Sequence, residues 1–137
     1  MGKTLAARAG AGVWWELEEA VYGIPSELNL NDIVGSEIQQ IRLGRYDVQL
    51  AFGSGRTIAV QGDLELFEED QLVASWNDQR NWSSLAFQRL LNAEVLSYSV
   101  VNEKLLEIKF EGDLTLYLHD SSDQYETMQI YPEGFII

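Results

Sequence analysis

Hydrophobic and polar residues alternate along much of the chain after residue 37, which is the pattern of half-buried β-strands. Every second residue of Tyr46–Phe52 is hydrophobic, and Leu106–Phe110 repeats the pattern. A period of two places alternate side chains on opposite faces of a sheet. Glycine-containing linkers follow both segments, at Gly53–Gly55 and at Glu111–Asp113, and predict hairpins. Further strands are predicted at Leu64–Phe67, Leu72–Trp76, Tyr125–Tyr131 and Phe135–Ile137.

The predicted strands fall into two similar segments, roughly residues 33–62 and 90–120. Ile33–Ile38 aligns with Leu90–Val95 at an offset of 57 residues, and the strands that follow align at 58. Two copies are too few for a solenoid, which needs about three repeats to bury its core. We therefore predict one domain over residues 1–137 with a mainly β (α+β) fold. Two repeated antiparallel β-meanders related by a pseudo-twofold would cover each other's apolar faces.

A helix is predicted before the first repeat. Hydrophobic residues recur there at helical spacing, at Trp14, Leu17, Val21 and Ile24, and Gly23–Pro25 ends the stretch. This N-terminal helix would pack its apolar stripe against the β domain.

A second, shorter helix is predicted from Ser84 to Leu91. Asn81 or Ser83 is expected to cap its N-terminus, because short polar side chains accept hydrogen bonds from the first free N–H groups of a helix. We expect Leu85 and Leu91 to close the mouth of the sheet.

Composition excludes several classes of partner and site. The 137 residues include 22 Asp+Glu against nine Lys+Arg, a net charge of −13, and no cysteine. Phosphate backbones and anionic lipids repel such a chain, so we expect no nucleic-acid or membrane partner. Without cysteine there is no disulfide or thiolate metal site. Arg8 interrupts the one apolar stretch near the N-terminus that resembles a signal peptide, so a cytoplasmic location is expected.

The acidic residues are distributed unevenly. Residues 9–41, 57–79 and 110–137 contain no Lys or Arg and hold 18 of the 22 acids. One explanation is solubility, because acids in loops keep a β-protein soluble and protect its edge strands. Segregated like charges also repel one another, and a cationic partner would relieve that repulsion. We therefore predict that loops of the two repeats gather acids on one surface that binds a basic protein.

Two segments supply the candidate partner-binding residues. On a helix Trp15 points about 100° away from Trp14, onto the polar side, where an exposed tryptophan rimmed by carboxylates is a plausible interface anchor. The alternative is that a loop or the C-terminal strand covers Trp15. The run Phe67–Asp70 is the densest acidic segment, and its alternative role is a solvated hairpin tip. The predicted set is Trp15, Glu16, Glu18, Glu19, Tyr22, Asp63, Glu65, Glu68, Glu69 and Asp70.

No catalytic, cofactor-binding or metal site is predicted, and the protein is expected not to be an enzyme. His119 is the single histidine, and acids and hydroxyls follow it in Asp120–Asp123. A hydrolase built there would need a nucleophile and an oriented base. The same acids lack the ligand spacing of a calcium loop, and the chain has neither a Walker loop nor a dinucleotide-binding fingerprint.

The segment Gly112–Asp120, followed by Tyr125–Glu126 and Ile130, resembles a pattern found in small β-rich bacterial proteins. Some of these are encoded beside polymorphic or contact-dependent toxins and are thought to be immunity proteins. The resemblance covers mainly the two repeats, and Trp14–Trp15 lies outside it. It implies a protein that binds and blocks a toxin, often a basic nuclease, and it assigns no functional residue. The alternative is a β domain that binds a small ligand or self-associates as a homodimer.

Overall fold

The computed structural model describes residues 23–120, 128–132 and 135–136. The predicted N-terminal helix lies outside these residues, and so do its partner-binding candidates Trp15, Glu16, Glu18, Glu19 and Tyr22. No helix in the described part of the chain is long and apolar enough to cross a membrane.

Strands dominate the described residues, as the alternating pattern predicts. The strands are β1 (Ile38–Leu43), β2 (Val48–Phe52), β3 (Thr57–Val60), β4 (Leu64–Glu68), β5 (Gln71–Trp76), β6 (Val95–Asn102), β7 (Leu105–Phe110), β8 (Leu114–His119), β9 (Met128–Tyr131) and β10 (Phe135–Ile136). Two short 3₁₀ helices precede the meanders, η1 (Asn31–Ile33) and η2 (Leu85–Leu90).

The strands form two antiparallel five-stranded sheets. Sheet 1 has the order β1-β2-β3-β9-β10, and sheet 2 has the order β5-β4-β8-β7-β6. The predicted mainly β fold is confirmed, and the meanders β1–β3 and β6–β8 fall within the two sequence repeats. The exchange of hairpins was not predicted: the hairpin β4–β5 follows the first meander in sequence but pairs with β8 of the second. In the same way, β9–β10 pairs with β3.

The strand pairing of the second half repeats that of the first. Exchanging β1–β5 for β6–β10 leaves the set of pairings unchanged. An antiparallel bridge joins Glu37 to Glu94, two residues that the repeat alignment places at equivalent positions. Gly35 and Asn92 are also equivalent, and both have positive φ, 84° and 67°. Glycine and asparagine tolerate this conformation best, so the same backbone turn recurs with different residues.

Inward-facing side chains of both sheets build one hydrophobic core. In β8, for example, Leu114, Leu116 and Leu118 are buried, and the residues between them lie half-buried on the outer face. The period-two pattern therefore separates core positions from positions that remain available to a partner.

The second predicted helix is a six-residue 3₁₀ helix with a different cap. Ser84 is the N-cap residue, and its Oγ accepts a hydrogen bond from the N–H of Ala86 at 3.1 Å. The predictions of Asn81 or Ser83 as cap are therefore wrong.

The residues expected to close the mouth of the sheet are also corrected. Leu85 and Leu91 are 72% and 40% exposed, and Phe87 and Leu90 are the buried residues of this segment. A 3₁₀ helix has three residues per turn, so Phe87 and Leu90 lie on the same side and Leu85 does not.

Candidate partner-binding surface

The described candidate residues all lie on β4 or beside it. Asp63 precedes the strand, Glu65 lies within it, Glu68 ends it, and Glu69 and Asp70 form the turn to β5. At about 3.3 Å per residue, Asp63 and the turn are about 20 Å apart. The structure therefore brings Glu68–Asp70 together and leaves Asp63 at the opposite end of sheet 2.

The β4–β5 turn contacts the β7–β8 turn of the second repeat. The N–H of Glu69 donates a hydrogen bond to the carbonyl of Asp113 at 3.1 Å. Glu69, Asp70 and Asp113 all have positive φ, at 55°, 79° and 61°. Two tight turns, each rich in carboxylates, thus meet at one end of the sheet.

A further contact extends this acidic region toward sheet 1. The N–H of Glu111 donates to the carbonyl of Glu94 at 2.9 Å, and the N–H of Glu94 donates to Oε1 of Glu111 at 3.0 Å. Glu94 is in turn bridged to Glu37. Four chain segments therefore build one continuous region, which we call the acidic ridge: Glu37, Glu68, Glu69, Asp70, Glu94, Glu111 and Asp113.

One carboxylate of the acidic ridge is ion-paired within the described part of the chain. Glu68 forms an ion pair with Arg89 of η2. The other six ridge carboxylates form no ion pair within the described residues. Five of the seven residues are exposed, and Glu37 and Glu68 are half-buried. Of the predicted partner-binding set, Glu68, Glu69 and Asp70 belong to the acidic ridge, and Asp63 and Glu65 do not.

Asp32, which lies in the first stretch without Lys or Arg (residues 9–41), forms a structural ion pair. Asp32 of η1 receives two hydrogen bonds from Arg56, from Nε to Oδ1 at 2.7 Å and from Nη2 to Oδ2 at 2.8 Å. The side chain of Arg56 is 5% exposed, and that of Asp32 is 48% exposed. The hydrogen bond from Arg56 holds the pKa of Asp32 below its usual value. This pair attaches η1 to the β2–β3 turn.

A second surface lies on the outer face of sheet 2. Glu65 of β4 is opposite Tyr117 of β8, and Tyr117 is opposite Glu107 of β7. Phe67 packs edge-on against the ring of Tyr117, with centroids 5.5 Å apart. We call Glu65, Phe67, Glu107 and Tyr117 the acid–aromatic patch. It adjoins the acidic ridge, because β4 carries Glu65 and Phe67 directly into Glu68.

Both carboxylates of the patch have a polar neighbour. Nε2 of His119 lies 2.8 Å from Oε1 of Glu65, and Glu107 lies opposite Tyr117 on the neighbouring strand. Burial raises the pKa of Tyr117, and Glu107, Asp70 and Glu65 raise it further. The tyrosine therefore stays protonated and donates at neutral pH.

The environment of His119 bears on the hydrolase alternative. Its ring contacts Glu65 on the sheet face, and the neighbouring Asp120 is 2% exposed. Ser121 and Ser122 lie outside the described residues. Among the residues that are described, no group of three or more His, Cys, Asp or Glu side chains is arranged to hold a metal ion.

The predicted set contains four of the eleven residues of these two surfaces: Glu65, Glu68, Glu69 and Asp70. Glu94 and Glu37 occupy equivalent positions in the repeat, so the alignment carried a signal that both lie near the junction of the two halves. Glu107 and Tyr117 alternate with buried residues of β7 and β8, and that pattern marks them as outward-facing. Their position beside Glu65 depends on the exchanged hairpin and had no signal in the sequence.

No protein-family model matches the chain, and neither a curated protein nor a solved structure matches it. The function is therefore argued from the charges and geometry of these two surfaces.

Proposed function

We propose that this chain is a non-enzymatic binding protein whose acidic ridge binds a basic protein. The single observation that supports the proposal is the set of backbone contacts that brings seven acidic residues from four chain segments into one region, in which Arg89 pairs with Glu68. Exposed acids need no such convergence to keep a protein soluble. A surface that binds cationic side chains does need it.

Electrostatic attraction favours the binding of a basic partner at the acidic ridge. Like charges within a Debye length of about 8 Å repel one another, and an incoming Lys or Arg removes that repulsion. Complementary potentials also raise the association rate more than they raise the affinity. The complex is therefore expected to form rapidly and to weaken as salt rises.

The most specific form of the proposal is an immunity protein that blocks a basic toxin, such as a nuclease. The sequence resemblance suggests this class of protein, and the acidic ridge is compatible with it. Carboxylates on the ridge would occupy positions that substrate phosphates take in a nuclease active site, and the toxin would be occluded.

The test is the affinity for the protein encoded by the neighbouring reading frame, measured by calorimetry. In the ridge variant, Glu69→Gln, Asp70→Asn and Asp113→Asn remove three charges. Asparagine suits the positive φ at the latter two positions. We expect about tenfold weaker binding, which corresponds to about 1.4 kcal/mol.

A matched control distinguishes an effect of the acidic ridge from an effect of net charge. Glu27→Gln, Asp78→Asn and Glu103→Gln also remove three charges, at exposed positions outside the ridge. This control is expected to bind like wild type. Equal losses in both variants, or a neighbouring protein that is acidic and does not bind, would overturn the proposal.

A small-ligand role is the second candidate, and one feature favours it. A shallow depression of about 420 Å³ lies on sheet 1, lined by Gln39, Gln40, Arg42, Ala51, Phe52, Gly55 and Thr57. It is remote from the acid–aromatic patch, which lies on the other sheet. Mass spectrometry of the purified protein under native conditions distinguishes the roles, because a retained small molecule that Arg42→Ala releases would favour the ligand role.

A further inference from the structure

The two sheets present equivalent outer faces with different chemistry. The strand pairing equates the acid–aromatic patch of sheet 2 with Gln129, Tyr131, Gln49 and Ala59 of sheet 1. Both glutamates of the patch are thus glutamines on sheet 1, and Tyr117 is replaced by alanine. Sheet 1 therefore forms with a neutral face at the equivalent positions, and it offers a matched comparison for the charges and the central ring of sheet 2.

We propose that the acid–aromatic patch recognises an arginine side chain of the basic partner, with the guanidinium lying on Tyr117 between Glu65 and Glu107. This inference rests on the proposed function and adds to it a specificity for arginine side chains. The acidic ridge attracts the partner, and the patch selects the side chain that enters.

Spacing across the sheet suits a guanidinium. The strands of Glu65 and Glu107 are two inter-strand distances apart, about 10 Å, with Tyr117 on the strand between them. A guanidinium is planar, donates five N–H bonds and stacks on aromatic rings. It is therefore able to contact the ring with its face and both carboxylates with its edges.

One carboxylate of the patch is already oriented. His119 contacts one oxygen of Glu65 at 2.8 Å, and Glu107 lies opposite Tyr117 on the neighbouring strand. A carboxylate offers about four acceptor sites, so each retains free acceptors for an arginine. Fixed acceptors reduce the side-chain ordering that binding would otherwise require.

A cation on the same face limits where the arginine enters. Lys109 is exposed and lies two residues from Glu107 on β7, closer to the acidic ridge and opposite Thr115. The charge of Lys109 therefore disfavours a guanidinium on the ridge side of the patch and favours the row formed by Glu65, Tyr117 and Glu107.

The experiment compares two peptides of equal charge, one alternating Gly-Arg and one alternating Gly-Lys, binding to the full chain in calorimetry. Wild type is expected to bind the arginine peptide at least about fivefold more tightly, because lysine cannot stack or bond bidentately. Glu65→Gln with Glu107→Gln converts the patch to the residues of sheet 1. It is expected to weaken arginine binding about tenfold and to abolish the preference.

Two further variants identify which groups of the patch cause the preference for arginine. Gln49→Glu with Gln129→Glu adds carboxylates to the equivalent face of sheet 1, where Ala59 provides no ring, and is expected to leave the arginine preference unchanged. Tyr117→Phe keeps the ring and removes the hydroxyl, and it is expected to retain most of the preference. Thermal unfolding monitored by circular dichroism establishes that each variant is folded.

The outcomes separate this inference from the function on which it rests. A wild type that binds both peptides equally, or a Glu65→Gln/Glu107→Gln variant that keeps the preference, overturns the arginine site and leaves the ridge proposal standing. A wild type that binds neither peptide, nor the basic neighbouring protein, overturns both. The ridge variant is expected to reduce the affinity for both peptides by the same factor.

Discussion

The pair between Asp32 and Arg56 shows how one buried charge shapes local structure. A guanidinium removed from water is costly unless a carboxylate accepts its hydrogen bonds, and Asp32 accepts two. Because Asp32 itself is half exposed, solvent screens part of the attraction, and the pair contributes less than a fully buried one. It nevertheless fixes η1 against the β2–β3 turn.

Asp32→Asn is expected to lower the free energy of unfolding by about 1–2 kcal/mol at neutral pH, measured by urea denaturation. The pKa of Asp32 lies below its ordinary value of 3.8 in the folded protein. The contribution of the carboxylate is therefore fully present above that value and is lost as pH falls through the lowered folded-state value. Wild type and variant should converge in acid. The exposed Asp78→Asn is the control, and a difference that is unchanged at low pH would contradict the assignment.

Tyr117 gives a second test at the residue scale. Glu107→Gln is expected to lower the pKa of Tyr117 only part of the way toward its ordinary value of 10.0, because burial is the largest cause of the increase. Ultraviolet absorbance during alkaline titration measures it, and Tyr117→Phe identifies the signal. An unchanged titration in Glu107→Gln would show that Glu107 does not raise the pKa of Tyr117.

At the scale of elements, β5 shows how an edge strand is covered. The N–H of Ser83 donates to the carbonyl of Ser75 at 2.8 Å, and the N–H of Ser75 donates to Oγ of Ser83 at 2.9 Å. Oγ of Ser84 donates to the carbonyl of Val73 at 2.6 Å. The segment before η2 therefore satisfies backbone groups that would otherwise be open to another chain.

Ser84→Ala is expected to destabilise the protein by about 1 kcal/mol, because it removes both the cap of η2 and the bond to β5. The same change should increase aggregation during thermal unfolding, measured by light scattering, since the edge of sheet 2 is less protected. Ser99→Ala, on an exposed position of β6, is the matched control. Equal behaviour of the two variants would show that the edge is protected in another way.

The strands themselves were predictable, and their partners were only partly so. Alternation at Val48–Phe52 and Leu105–Phe110 depends on the neighbouring residues alone, and short loops fix the hairpins. The pairing of β4 with β8 instead of β3 depends on which strands meet after the chain crosses to the other sheet. This pairing also determines that Glu107 lies on the same face as Glu65, two strands away. Glu65 was therefore predicted as a binding residue, and Glu107 was not.

At the scale of the whole molecule, each sheet needs strands from both halves. Sheet 1 contains β9 and β10, and sheet 2 contains β4 and β5. Neither repeat completes a sheet alone, so the two halves are expected to unfold together. The acidic ridge is a consequence of this arrangement, because Glu69 and Asp113 belong to different halves of the chain.

Leu66→Ala in β4 and Ile58→Ala in β3 test this cooperativity. Both side chains are fully buried, and each truncation is expected to cost about 2–5 kcal/mol. Far-ultraviolet circular dichroism and tryptophan fluorescence should report one coincident transition for each variant. Two separated transitions would indicate halves that fold independently.

The association rate with the basic protein of the neighbouring gene tests the central claim most directly. Stopped-flow measurements between about 50 mM and about 500 mM salt should show a fall of at least about tenfold for wild type. The variant with Glu69→Gln, Asp70→Asn and Asp113→Asn should show a clearly shallower fall than the control with three charges removed elsewhere. A rate that is independent of salt, or equal slopes for the two variants, would contradict a partner-binding role for the acidic ridge.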